Sequence, residues 1–471
     1  MLPWRAVRDC LLLAVPFAGI CGGVFLFQHG TIAHSVGLYV GGVAIPFVSD
    51  KFSAVMIIAA SIVALFSCLF AVIVGETRAR FFPALALMLL GGVYGALLTA
   101  DLFNLFVMVE VMLLPSYALL AMTGGRSRLA AGRTFVLSNL LASTLLVMGV
   151  GVVYGVAGTV NIAALAGAAD QGPIVIAMGI VVLALSIKAG VFPMHTWLPR
   201  TYPSTSSAVM GLFSGLHTKV AVYALYRIYV VIFDASPRWA WFIIGVMMVS
   251  MLVGGFAGLG ENTIRRVIAY QMVNGMPFIL VMLAFPSTGA LAAGIFYTIH
   301  HMVTVGSLIL TTGAIEETYG TSTLSKLSGI ARRDPWTSTI WAAGAFSLVG
   351  FPPFSGMWGK VGIMFEVATA GGPRAWLIIG TIVIASLGAL LSLLRVWRKV
   401  FWGKPPTRYP STLVVMPIKA LPGGTLAVLS VLMFLCAGPV TSWCAGASQA
   451  LLDVPAYSSA ILGTDAIGVV R

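Results

Sequence analysis

Charge is scarce in this sequence: 9% of its 471 residues are Asp, Glu, Lys or Arg, against 59% hydrophobic, and the mean hydropathy is +1.01. A domain folded in water could not cover its surface with so few polar side chains, which excludes a soluble enzyme or binding module. Cysteine is scarce as well, and Cys10, Cys21, Cys68, Cys436 and Cys444 show neither CxxC nor metal-ligand spacing. They read as packing residues, so no metal and no cofactor is expected. No GxGxxG motif follows a strand-like run, and no polar block is long enough for a nucleotide site. Acidic residues number 14 against 27 Lys and Arg, a net charge of +13, and the position of the basic residues decides what that excess means.

Long apolar runs are what the chain has in abundance. Each run of roughly 20 residues reads as a spanning helix, because only a helix satisfies its own backbone in hydrocarbon. Such runs lie near 10–28, 52–74, 81–99, 102–122, 134–156, 174–199, 206–231, 239–259, 266–285, 289–312, 336–370, 375–399 and 424–444, two of them interrupted. The expectation is an all-α polytopic membrane protein of about thirteen helices in one membrane domain. The first run follows Arg5 and Arg8 as a signal peptide would, but lacks a convincing cleavage site and reads as a retained span. With the N-terminus inside, connections on the inner side hold Arg78, Arg80, Arg128, Arg133, Arg200, Arg265, Arg266, Arg332 and Arg333, while the outer side holds little beyond Lys51, Arg238 and Arg374. That is the positive-inside bias, with the C-terminus outside; nucleic acid has no part in it. Residues 29–51 read as an outer hairpin too broken to span, and 400–423, with Pro405, Pro410, Pro417 and Pro422, as an inner surface loop.

Against this background a few charges stand out. A charged side chain at the bilayer centre costs at least about 2.5–3.5 kcal/mol, so each one needs a reason. Glu110, Lys188, Lys219 and Lys360 fall within apolar runs, with His217, His300 and His301 beside them. In SIKAGVFP, Gly190 and Pro193 break the helix just after Lys188. The device recurs in LVGFPPFSGMWGK, where Gly350, Pro352, Pro353 and Gly356 surround a break and Lys360 follows. Freed backbone at membrane depth is tolerated only where protein or water covers it. Two interrupted segments in corresponding halves point to an inverted-repeat transporter with its sites at the midplane. The bland alternatives are a packing carboxylate, a proline kink with a snorkelling lysine, and histidines that only bond helix to helix. Arg395 and Glu366, near span ends, fit snorkelling, Arg227 lies near a helix end, and a metal site would need a Cys, Asp or Glu cluster that is not visible.

The phrases DLFNLFVMVEVMLLPSYALL (101–120), KAGVFPMHTWLP (188–199), SGLHTKVAVYAL (214–225), GIFYTIHH (294–301) and GFPPFSGMWGK (350–360) run across most of the chain. Together they resemble the proton-pumping antiporter-like family shared by respiratory complex I and the multisubunit Mrp cation/proton antiporters, and within it the D subunit type of the Mrp branch. The resemblance implies a proton relay in which Glu110 and Lys188 form an ion pair, Lys219 is central, His300 and His301 lead to the second half, and Lys360 is terminal. His217, Asp101 and Thr304 are expected as accessory groups. It also implies a first half-channel over 101–231 and a second over 239–370, flanked by N-terminal helices in 1–100 and C-terminal helices in 371–471. Partners would be other membrane subunits in a multi-pass assembly of the cell membrane, moving protons against Na+ or K+. Three features depart from the family: one N-terminal span fewer, Val305 where a lysine is common four residues after His301, and QMVNGMPF (271–278) in place of a more polar run. The alternatives are a pumping subunit of an NADH–quinone oxidoreductase, itself without a redox centre, and a structural paralogue whose relay is cut at Val305.

Overall fold

The computed structural model describes residues 2–38, 44–122, 126–169, 172–405, 409–410 and 412–463. Helix α1 (Leu2–His29) leads to a two-stranded antiparallel hairpin, β1 (Ile32–Ser35) and β2 (Pro46–Ser49), in which Ile32 faces Ser49. The hairpin expected over 29–51 is therefore present, although residues 39–43 lie outside the described residues. There follow α2 (Lys51–Val74), α3 (Phe82–Leu98), α4 (Leu102–Ala121), α5 (Arg126–Ala157), α6 (Pro173–Ala189), the short α7 (Trp197–Thr201) and α8 (Ser207–Val231). The second part holds α9 (Ala240–Ala257), α10 (Ile264–Leu280), α11 (Thr288–Tyr319), the one-turn α12 (Ile330–Arg333), α13 (Pro335–Val349), α14 (Ser355–Ala370) and α15 (Gly372–Val396). Last come α16 (Pro417–Leu435), α17 (Ala437–Leu452) and α18 (Val454–Leu462).

Among the described residues, ten helices are long and apolar enough to cross a membrane, and an eleventh span forms if the bent α6–α7 segment is taken as one. The expected thirteen are not all separate long helices. The run 81–99 is the shorter α3, and 336–370 is divided into α13 and α14, each too short alone. The expected span 424–444 is corrected: α16 begins earlier, at Pro417, and gives way to α17 after Cys436. Pro439 has no N–H to donate and its ring crowds the carbonyl of Leu435, which favours a break there. The expected inner loop over 400–423 is shorter, since Pro417 stands in the first turn of α16, where proline suits a helix start.

Two sets of helices repeat one plan. Leu102 donates its N–H to the Val160 carbonyl and Ile162 to Ala100, while Ile264 donates to Ser322 and Leu324 to Asn262. Isolated bridges join Asp101 to Asn161 and Thr263 to Thr323. A Cβ on Gly92 would stand 2.5 Å from the Met112 amide, and one on Gly254 would meet the Asn274 backbone in the same way. Every pair is related by one sequence offset, and α5 and α11 share both that offset and their length of 32 residues. The two sets begin an odd number of spans apart, so the second is inverted. The first bridge accordingly lies beside the β-hairpin, where Phe47 pairs with Thr99, and the second lies at the other face near Arg265. Helices α8, α10 and α11 sit innermost, buried along nearly their whole length, whereas α1, α9 and α15 turn many apolar side chains outward, as lipid contact allows.

Candidate proton-translocation site

The breaks come first, because they set the depth of the lysines. Helix α6 ends on Gly190 at φ 75° and α13 on Gly350 at φ 104°, left-handed conformations that a side chain disfavours. In both, the glycine N–H and the next residue's N–H turn back onto the last helical turn: Gly190 to Ile187 and Val191 to Ser186, Gly350 to Ser347 and Phe351 to Phe346. The carbonyls at the two helix ends differ in their side-chain partners. Ile187 accepts from Trp197 Nε1 at 2.9 Å, whereas Val349 accepts from Lys360 Nζ at 2.7 Å. The two lysines are thus not equivalent, as their places on opposite sides of their breaks in the sequence imply. Lys188 belongs to the last turn before its break, and Lys360 reaches back to its break from the following helix. Either arrangement places a cation at the negative end of a half-helix.

Around Lys188 the structure brings together α4, α5 and α6. Lys188 Nζ donates to Ser143 Oγ at 2.9 Å, and Ser143 Oγ donates to Glu110 Oε1. The expected direct Glu110–Lys188 ion pair is absent from the salt bridges among the described residues, and the Ser143 hydroxyl stands between the two charges. Lys188 and Ser143 are buried and Glu110 is partly so. His217, on α8, lies 2.8 Å from Ser116 Oγ and 3.2 Å from the Tyr202 hydroxyl, stacked on Phe213. Lys219 is two residues further on, and residues so spaced do not share a helix face. Its Nζ donates to Thr218 Oγ1 at 3.2 Å, and among the described residues no carboxylate pairs with it.

In the second half the polar row is made of imidazole and hydroxyls. His300 Nδ1 lies 2.8 Å from Ser355 Oγ and 3.2 Å from Thr304 Oγ1. Thr304 meets Ser347 at 3.0 Å, and Ser430 of α16 lies 2.8 Å from both Ser347 and Ser355. These groups close a buried ring that holds both sides of the α13–α14 break. His301 Nε2 lies 3.5 Å from the Gln271 carbonyl, and its ring packs against Gly275. Lys360 also donates to Ser386 Oγ at 2.7 Å and sits 5.1 Å from the Phe278 ring centroid. Electrostatic neighbours run from Glu110 to Lys188 and from Lys188 to His217, and then from Lys219 through His301 and His300 to Lys360. Asp101 is set apart as the N-cap of α4, accepting the Asn104 N–H at 2.7 Å.

Sequence reasoning missed Ser143, Ser347, Ser355 and Ser430, as well as a buried ion pair. Arg227, near the end of α8, is 2% exposed; its guanidinium lies 2.6 Å from Asp50 Oδ2 and 4.6 Å from the Tyr457 ring centroid. Asp50 also forms a capping box with Ser53 at the start of α2, a pattern legible in the sequence. At the opposite face Arg265 pairs with Glu316 and donates to the Thr205 carbonyl, next to Glu76, which accepts from Ser206 Oγ at 2.6 Å. Burial holds the Glu76 carboxyl above the usual range and Glu317 adds to this, against the Ser206 hydrogen bond and the charges of Arg265 and Arg128.

An inverted pair of broken-helix bundles with charged groups at the breaks defines a class of membrane ion-translocating subunits. Residues 99–386 match the NADH:quinone oxidoreductase/Mrp antiporter transmembrane family, and the chain belongs to it, on the Mrp branch and of the D subunit type. It is 30% identical to the Na(+)/H(+) antiporter D subunit of Alkalihalophilus pseudofirmus, over 97% of this chain and 94% of that one. The subunit of the same name in Bacillus subtilis is 30% identical, over 93% and 90%. A chain of the Mrp complex from Dietzia sp. superposes with a TM-score of 0.93 at 37% identity, covering 98% of this chain and 95% of that one. A chain of respiratory complex I from Thermus thermophilus, 22% identical, shares the fold with a TM-score of 0.82 over 95% of each.

Proposed function

We propose that this chain is a proton-translocating subunit of a multisubunit monovalent cation/proton antiporter, exchanging Na+ or K+ for protons with other membrane subunits as partners. Its place would be the cell membrane, with the N-terminus on the cytoplasmic side and the C-terminus outside. The observation that carries this reading is the buried row of Lys188, Lys219 and Lys360 threaded between two broken helices, in a chain matched along nearly its whole length by Na(+)/H(+) antiporter D subunits. Protons pass among Glu110, Lys188, Lys219, His300, His301 and Lys360, with His217 and Thr304 beside the path. A change in the Glu110–Lys188 distance alters how firmly each neighbour holds its proton.

The test uses everted membrane vesicles containing the chain with its full set of partner subunits. A pre-formed pH gradient is challenged with sodium or potassium. Cation-driven proton release that Lys188→Ala abolishes in a fully assembled complex supports the reading. Proton uptake driven by NADH, with no response to either cation, would assign the chain to a respiratory pump instead.

A further inference from the structure

We infer that Ser143 is a proton-passing residue, the link through which a proton crosses from Lys188 to Glu110 without either side chain moving. The inference rests on the proposed proton relay and adds a residue to it. An ammonium has donors and no acceptor, and an ionised carboxylate has acceptors and no donor. A hydroxyl held between them has one choice: its single proton points to Glu110 and its lone pair faces Lys188. The observed contacts agree, Lys188 Nζ to Ser143 Oγ at 2.9 Å and Ser143 Oγ to Glu110 Oε1. The wire is oriented by chemistry rather than by an assumed hydrogen position.

The step balances. Lys188 gives one Nζ proton to Ser143 Oγ as Ser143 gives its own proton to Glu110 Oε1. A neutral amine and a neutral carboxylic acid replace the ion pair, and the serine is again a neutral hydroxyl. Total charge is unchanged, and in a site with Lys188 5% and Ser143 4% exposed, the neutral pair escapes the desolvation cost that opposes the charged one. The reset follows when Glu110 passes its proton on and Lys188 takes another from the interior. Helix α5 supplies Ser143 between the helices bearing the two charges, so the link depends on packing, not on sequence proximity. At the same offset in the second half stands Val305, which can pass nothing.

Four forms of the chain are compared in the assembled complex in everted vesicles: native, Ser143→Ala, Ser143→Thr and Lys188→Ala. Cation-driven proton release, scaled to complex content, is expected to fall about a hundredfold in Ser143→Ala and to be kept within a few-fold in Ser143→Thr, which retains the hydroxyl. A native rate in Ser143→Ala, with Lys188→Ala inactive, overturns the inference and leaves the relay standing. A native rate in Lys188→Ala overturns the relay itself. Should the alanine variant not assemble, Ser143→Cys keeps the volume with a far poorer hydrogen-bonding group. There too a native rate overturns the inference, and a loss that Ser143→Thr does not share supports it.

Discussion

The two halves of this molecule share a backbone plan and differ in chemistry at the same places. In the first, Glu110, Ser143 and Lys188 form a hydrogen-bonded chain. The positions that correspond in the second, by the common offset and by counting back from each helix-ending glycine, are Met272, Val305 and Leu348, all buried. The second half instead holds its histidine in a ring of hydroxyls and ties Lys360 to the end of its broken helix. Inversion of the bundle is thus a constraint on where a site can be, and says little about which groups occupy it. The first half sets opposite charges on a shared hydroxyl; the second holds an imidazole in a ring of hydroxyls. The suspected cut at Val305 is therefore one part of a wholly apolar triad, and the hydroxyl ring beside it is where the polar groups of that half have gathered.

The comparison is broken most directly by exchanging roles. Glu110→Gln is expected to lower cation-driven proton release about a hundredfold in an assembled complex, while Met272→Gln at the corresponding place stays within about twofold. Comparable losses from both would mean that the halves are not specialised. Next in size is Gly356→Ala. A Cβ there would meet the Ser347 carbonyl and stand 2.9 Å from His300 Cε1, so a thermal-shift assay of the complex should record about 2 kcal/mol of destabilisation. Gly362→Ala on the same helix, with a 3.6 Å contact to Ala293 Cβ, should leave stability almost unchanged.

Smaller again, Ser430→Ala opens the ring by removing two hydroxyl contacts. A cost of about 1 kcal/mol in the same assay is expected, with proton release lowered less than by Glu110→Gln. A loss as deep as that of Glu110→Gln would make the ring part of the proton path rather than a support for His300. The smallest effect belongs to Glu76, where the start of α8 meets α10 and α11. Folding raises this carboxyl's affinity for its proton, so its stabilisation is present below the unfolded carboxyl's titration and lost as pH rises through the folded value. Glu76→Gln removes that dependence. Relative to native, the variant should gain about 0.5 kcal/mol on going from acid to neutral pH, read from paired thermal melts.

Much of the proposed relay is legible in the order of amino acids because its members violate a rule. Lys188, Lys219 and Lys360 are costly in hydrocarbon, and Gly190 and Gly350 interrupt helices that had every reason to continue. Serine violates nothing. In a helix it can bond the carbonyl one turn back, as Ser116 does with Met112 at 2.7 Å, so its presence in a span carries no signal. Ser143 and Ser430 acquire meaning only from what stands opposite them on other helices. Arg227 is a related case: its place near the end of α8 gives no sign of burial, while Asp50, far away along the chain, keeps it inside.

By itself, then, the sequence determined that this chain lives in a membrane, roughly where it crosses, and which charged groups had to be justified. Those are properties of single segments against their solvent, and the transfer cost of each residue type is enough to read them. Tertiary structure alone decided that a hydroxyl separates Glu110 from Lys188, that Lys360 bonds the Val349 carbonyl at its own half's break, and that serine hydroxyls from three helices close a ring around His300. These depend on which faces of distant helices meet, and hydrogen bonds reward that meeting only at about 3 Å.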